Sequence, residues 1–118
     1  MKYELTNETI VINGITLYRI IALKSFLNIT KGDLGGYVEG YKNLSQSDDS
    51  WVYDNSKAFG NSEVYGNALV FGNAKVFGNA QVFNNAWVYD DAMVFGDSRI
   101  CDNVQVFDHT IVCYRYKR

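Results

Sequence analysis

Val64-Tyr65-Gly66-Asn67-Ala68-Leu69-Val70-Phe71-Gly72-Asn73-Ala74-Lys75-Val76-Phe77-Gly78-Asn79-Ala80-Gln81 repeats one six-residue unit, V-[FY]-G-N-A-x, three times over. The same frame runs outward to Val52 and Ala58 on one side and to Val82, Val88, Val94, Ile100, Val106 and Val112 on the other. An aromatic residue follows each apolar position except at Cys101 and Cys113. A small residue stands four places on, from Ser56 and Ser62 through Ala68, Ala74, Ala80, Ala86 and Ala92 to Ser98. Such a period is the mark of a stacked-repeat architecture.

A spacing of six does not return to one face of an α-helix, whose period is 3.6. In a strand, alternation turns each valine inward and its two neighbours outward. Gly-Asn then bends the chain, because glycine reaches φ > 0 freely and asparagine tolerates it better than most residues. Three flat edges close a tube, so one coil takes eighteen residues, and the small residue fits the corner where two walls meet. Coils stack at the inter-strand distance of roughly 4.8 Å. The frame spans about three and a half to four coils, a prism on the order of 16 Å tall. Each coil's N–H groups must pair with a neighbour, in keeping with a chain that contains no proline.

Eighteen-residue coils sort the outward positions into three walls. Wall one carries Trp51, Leu69, Trp87 and Gln105 before the valines, and Tyr53, Phe71, Tyr89 and Phe107 after them. Wall two carries Lys57, Lys75, Met93 and Ile111 beside Phe59, Phe77, Phe95 and Cys113. Wall three carries Glu63, Gln81 and Arg99 beside Tyr65, Phe83 and Cys101. Wall one holds no charge. Stacked rings account for the aromatic ladders on all three walls, but not for tryptophan and leucine where the other walls place charges. A bare patch of that size exceeds what soluble monomers usually expose. Wall one is therefore the expected self-association surface, with Trp51, Leu69, Trp87, Phe71, Tyr89 and Phe107 at the interface.

The residues before the repeat follow another plan. Ile10, Ile12, Ile15, Leu17 and Ile20 flank Asn13-Gly14, a strong signal for a two-residue β-hairpin. The hairpin is expected to cover the open edge of the first coil; exchange of the hairpin between subunits is the alternative. Three segments result: residues 1–50 as hairpin cap and polar connector, 51–113 as the coiled repeat, and 114–118 as a basic, aromatic tail.

Ile100-Cys101-Asp102-Asn103-Val104-Gln105 is close to the repeat of the hexapeptide-repeat (LpxA-like) left-handed parallel β-helix superfamily, which the chain resembles. The fold this implies is all-β, a three-sided left-handed parallel β-helix with an N-terminal hairpin. Handedness comes from the resemblance, because parallel crossovers ordinarily turn right-handed. Lys31-Gly32-Asp33-Leu34-Gly35-Gly36-Tyr37-Val38, Asn43-Leu44-Ser45-Gln46 and Trp51-Val52-Tyr53 also look like the opening segment of YdcK-type proteins and of phage-encoded proteins on this plan. Members of the superfamily are commonly trimers, and its acyltransferases use a histidine base at a cleft between subunits.

The net charge is −2, which argues against the basic surface of a double-stranded nucleic-acid binder. No apolar run is long enough to cross a membrane, and no signal peptide is evident. A cytoplasmic protein is expected, in host cytoplasm if the chain is phage-encoded. Cys101 and Cys113 fall on different walls and are expected to stay reduced. No metal-ligand spacing is present, and no cofactor is implied. His109, the single histidine, sits at a turn position where other repeats have asparagine or aspartate, and is a weak catalytic candidate.

The function this favours is a non-catalytic oligomeric binding protein, a trimer by resemblance. Rings and cations in the clefts between prisms would take a planar anion such as a nucleotide. Trp51, Tyr53, Trp87 and Tyr89 are the stacking candidates, with Lys57, Lys75 and Arg115 for charge. A phage version would sequester a nucleotide signal or block a host defence protein. The alternatives are an acyltransferase-like enzyme and a purely structural or assembly module.

Overall fold

A computed structural model describes residues 1–114. The hairpin is β1 (Tyr3–Ile12) and β2 (Ile15–Ala22), joined at Asn13 (φ 49°) and Gly14 (φ 80°). Two successive positive φ values give the primed turn whose twist matches that of the strands. A third strand, β3 (Leu34–Val38), pairs antiparallel with β2 and parallel with the first coil.

The coils follow as short strands: β4 (Trp51–Val52), β5 (Lys57–Ala58), β6 (Glu63–Val64), β7 (Leu69–Val70), β8 (Lys75–Val76), β9 (Gln81–Val82), β10 (Trp87–Val88), β11 (Met93–Gly96), β12 (Arg99–Ile100), β13 (Gln105–Val106) and β14 (Ile111–Tyr114). They form a β-solenoid of about four turns, with coils about 18 residues apart. Three parallel sheets are its walls. Wall one is β4-β7-β10-β13, and wall three is β6-β9-β12. Wall two, β3-β5-β8-β11-β14, continues without a break into the hairpin. Trp51 pairs with Leu69, Leu69 with Trp87, and Trp87 with Gln105, as the repeat frame requires.

The sequence explains each part of a coil. The inward valines from Val52 to Val94 are at most 1% exposed. The corner alanines Ala68, Ala74, Ala80, Ala86 and Ala92 are completely buried. Where serine replaces alanine, the hydroxyl satisfies itself locally: Ser62 Oγ donates to the Phe59 carbonyl at 2.8 Å. From Asp54 to Asp108 the first residue of each turn of the repeat is left-handed, at φ 65–70° for Gly60, Gly66, Gly72, Gly78 and Gly96. Asp54, Asn84, Asp90, Asp102 and Asp108 take φ 55–58° at the same place. Backbone bonds then climb from coil to coil, as in Tyr53 N–H to Val70 O at 2.8 Å and Phe71 N–H to Val88 O at 3.0 Å.

The solenoid starts earlier than its repeat. Val38 pairs with Ala58 and Leu44 with Val64, each twenty positions on, whereas Trp51 pairs with Leu69, eighteen on. Two extra residues between Leu44 and Trp51 hide this coil from the six-residue frame. The connector thus supplies core: Val38 and Leu44 are buried in line with the valines.

Those extra residues close the upper end. Gln46 accepts from the backbone N–H groups of Lys2 and Tyr3 at 2.7 and 3.1 Å, and returns a bond to the Tyr3 carbonyl. The Lys2 side chain is wholly buried; its ammonium donates to the carbonyls of Asp48 and Ser50 and lies 3.7 Å from the Asp48 carboxylate. Burial lowers the Lys2 pKa from 10.5 to about 8, against the opposing pull of Asp48. Burial also works to raise the Asp48 carboxyl, but hydrogen bonds from Ser50 and from the Gly66 N–H outweigh it and hold the group below its usual range.

The hairpin covers the first coil, as expected, and also the outside of wall two. Leu17, Tyr37 and Phe59 form a second small core with Ile10, Ile12, Ile15 and Phe77. Register irregularities between Leu5 and Thr9 and between Arg19 and Ile21 accompany this curl of the hairpin, since bulges bend and twist a strand.

Candidate binding cleft on the aromatic wall

Wall one is where sequence and structure part most informatively. Trp51 heads the column as expected, but it is 0% exposed. Tyr3 and Phe26 meet its ring edge-on, with centroids 6.1 and 5.1 Å away. Its indole N–H is buried without a hydrogen-bond partner. Trp51 is therefore a core residue of the capped end, and neither a stacking platform nor an interface residue. The covering groups lie some 25 to 50 positions away in the chain, so no local pattern announces them.

Below Trp51 the wall opens. Tyr53, Leu69, Phe71 and Trp87, with Asn28 and Asp54 at the rim, line a cleft of about 250 Å³. Leu69 pairs with Trp51 on one side and Trp87 on the other, a smaller side chain than either, and marks a notch in the column. Ring orientation shapes the rest. Elsewhere the ladders are parallel: Phe59–Phe77, Tyr65–Phe83 and Phe77–Phe95 lie within 8° of coplanar. At the notch, Tyr53 stands at 83° to Phe71, and Phe71 at 77° to Trp87. Tyr53 is held there by its hydroxyl, which donates to Asn28 Oδ1 at 3.1 Å. Burial, and then the neighbouring Asp54 charge, raise its pKa, so the phenol stays protonated.

The ladder continues downward. Phe71 stacks on Tyr89 at 4.7 Å, Tyr89 on Phe107 at 5.5 Å, and Tyr89 Oη donates to Gln105 Oε1. Trp87 is 39% and Phe107 43% exposed. Leu69, Phe71, Trp87, Tyr89 and Phe107 thus share one face.

The cations do not join them. Lys57 and Lys75 are in register on wall two, a different sheet from the rings. The Lys57 ammonium donates to the Asn55 carbonyl at 2.7 Å and lies 5.8 Å from the Tyr37 ring centroid. Burial, then Lys75 and Arg19, lower its pKa. Arg115 lies outside the described residues. The wall-one rings and the wall-two lysines, expected to meet in clefts between prisms, lie on different sheets of the single prism.

Arg19 is a cation that motif reading passed over. Its guanidinium stacks 4.3 Å from the Tyr37 ring centroid, bonds Glu8 at 2.6 Å and donates to the carbonyls of Gly35 and Asp54. It pins the hairpin to the first coil. An isolated arginine in a strand gives no sequence signal for such a role.

His109 is on an open corner, its side chain 88% exposed, with Nδ1 3.6 Å from Asp91 one coil above. Cys101 and Cys113 are free thiols. Two further hollows have about the same size. One, about 300 Å³, is a seam between the connector and wall three at Leu44, Gln46, Glu63 and Tyr65. The other, about 320 Å³, lies beside Arg99 and Tyr114 at the last coil. Among the described residues no cluster of His, Cys, Asp or Glu could hold a metal ion, and no helix is long and apolar enough to cross a membrane. No protein-family model matches the chain, and no curated protein matches it.

Proposed function

We propose that the chain is a non-catalytic binding module of the hexapeptide-repeat type, with the wall-one cleft as its ligand site. The observation that carries this reading is the notch at Leu69, lined by Phe71 with Tyr53 and Trp87 each nearly perpendicular to it, and left open by the chain's own cap. Concave, mostly apolar sites with a few placed polar groups are the usual form of small-ligand sites. At about 250 Å³ the cleft falls just under the 300–1,000 Å³ typical of sites that enclose drug-sized molecules. It suits a head group or side chain better than a whole nucleotide. Sequestration of a nucleotide in host cytoplasm, the phage reading, would need the Lys57–Lys75 pair of a second copy beside the rings. That arrangement requires the trimer, which exposed Trp87 and Phe107 support as an apolar face.

The test uses Leu69→Trp, which fills the notch with the residue that both neighbours in the column already have. Wild type and variant are each incubated with a metabolite extract, re-isolated, and compared by mass spectrometry. A small molecule retained by wild type and absent from Leu69→Trp is the expected result. Identical profiles would end the binding reading. Light scattering at micromolar concentration tests self-association separately, and a monomeric mass removes the trimer.

The His109–Asp91 pair at 3.6 Å is the one observation favouring an acyltransferase. That reading requires acetyl-CoA turnover that His109→Ala abolishes.

A further inference from the structure

We infer that the wall-one cleft selects an organic cation, of the quaternary ammonium or alkylated amine class, by enclosing it between Tyr53, Phe71 and Trp87 beside the Asp54 carboxylate. This rests on the reading of the cleft as a ligand site and names the chemistry that site would accept.

The first ground is ring geometry. A ring's face is the negative part of its quadrupole, and a cation within about 6 Å of the centroid is attracted to it. In the parallel ladders of this protein most faces are consumed by the neighbouring coil. At the notch only Phe71 is stacked, on Tyr89; Tyr53 and Trp87 stand at 83° and 77° to Phe71 beside the hollow, with T-shaped contacts in place of face-to-face ones. Rings set roughly at right angles around a small space form the aromatic cage that recognises choline and methylated ammonium groups.

The second ground is charge. The cleft's lining holds one ionisable acid, Asp54, one amide, Asn28, and no cation. Arg19 approaches from behind, touching the Asp54 backbone carbonyl at 3.3 Å, but its charge is engaged by Glu8 and by the Tyr37 ring. The lysines are on another wall. An anion would meet Asp54 with nothing to offset it, whereas a cation meets a carboxylate and π faces together. The third ground is size: the hollow suits a compact head group.

The probes are choline, its neutral isostere 3,3-dimethylbutan-1-ol, and AMP, each titrated into the full chain and followed by tryptophan fluorescence and calorimetry. Choline should bind at least about tenfold more tightly than the isostere, the advantage expected of a desolvated cation–π contact. Asp54→Asn should weaken choline severalfold and leave the isostere unchanged. Leu69→Trp should abolish choline binding while its melting curve shows that the prism is intact. Equal binding of choline and the isostere, or binding of AMP in preference to choline, overturns the cation assignment and leaves a ligand site. If none of the three probes binds, the cation assignment falls. The metabolite comparison then decides the site itself, since a molecule retained only by wild type keeps the site and its absence removes both.

Discussion

Gly78→Ala isolates what the turns require of their first residue. Gly78 sits at φ 65°, where an L-residue crowds its own carbonyl at about 1–2 kcal/mol. A methyl group there would also lie 2.9 Å from the backbone nitrogen of Gly96 one coil below, with the Gly96 carbonyl at 3.4 Å. These are backbone atoms, fixed by bonds such as Asn79 N–H to Gly96 O at 2.8 Å, so they cannot swing aside. Yet the protein already tolerates a Cβ in this frame, because Asn84 and Asp90 occupy the same turn position at φ 57° and 58°. The torsional preference, which asparagine largely escapes, should therefore outweigh the crowding. The expected loss is about 1–2 kcal/mol for Gly78→Ala and less than about 1 kcal/mol for Gly78→Asn. For a domain of this size that is a fall in Tm of about 3–10 °C for alanine and a few degrees at most for asparagine. Urea unfolding followed by circular dichroism measures both. Equal losses for the two variants would mean that contact with Gly96, and not φ, sets the demand for glycine, and the torsional account would be refuted.

Stability should depend on pH through the buried end. Lys2 ordinarily keeps its proton to 10.5 but in the fold releases it at about 8. Between those values the unfolded chain binds more protons, so stability rises with pH, by at most about 3 kcal/mol. Above about pH 10 unfolded tyrosines ionise while Tyr3 and Tyr53, raised by burial, stay neutral, and stability falls again. A urea midpoint that peaks near pH 10 in wild type, and loses most of its rising limb in Lys2→Met with the remainder left to Lys57, is the expected profile. Val76→Ala, which removes two methyl groups from a fully buried site, should cost about 2–3 kcal/mol. Glu63→Ala, exposed on the next wall's outer face, should change stability in the same urea unfolding by less than about 0.5 kcal/mol. Arg19→Lys should lose about 1–2 kcal/mol despite keeping the charge, because an ammonium cannot reproduce the fork that bonds Glu8, Gly35 and Asp54 at once. Hydrogen exchange would locate that loss in β1 and β2.

The six-residue period dictated the prism by itself. A valine every six positions, a bend between them and a small residue at the corner admit one economical solution, and the register of Trp51, Leu69, Trp87 and Gln105 follows from counting. The hairpin was legible too, because Asn13-Gly14 is local turn chemistry. What the period could not show was anything that breaks it. Two extra residues after Leu44 hid the first coil and built the pocket for Lys2. Tyr3 and Phe26, remote in sequence, folded over Trp51 and took it out of the surface it was expected to lead. The cleft shares this dependence on tertiary structure. Counting places Leu69 between two tryptophans, but only the fold turns Tyr53 edge-on through Asn28 and sets the lysines around a corner from the rings. Periodic backbone pairing is a local rule repeated, so sequence carries it. Which side chains a remote segment covers, and which way an unstacked ring faces, depends on contacts between residues whose separation in the chain encodes nothing about their meeting.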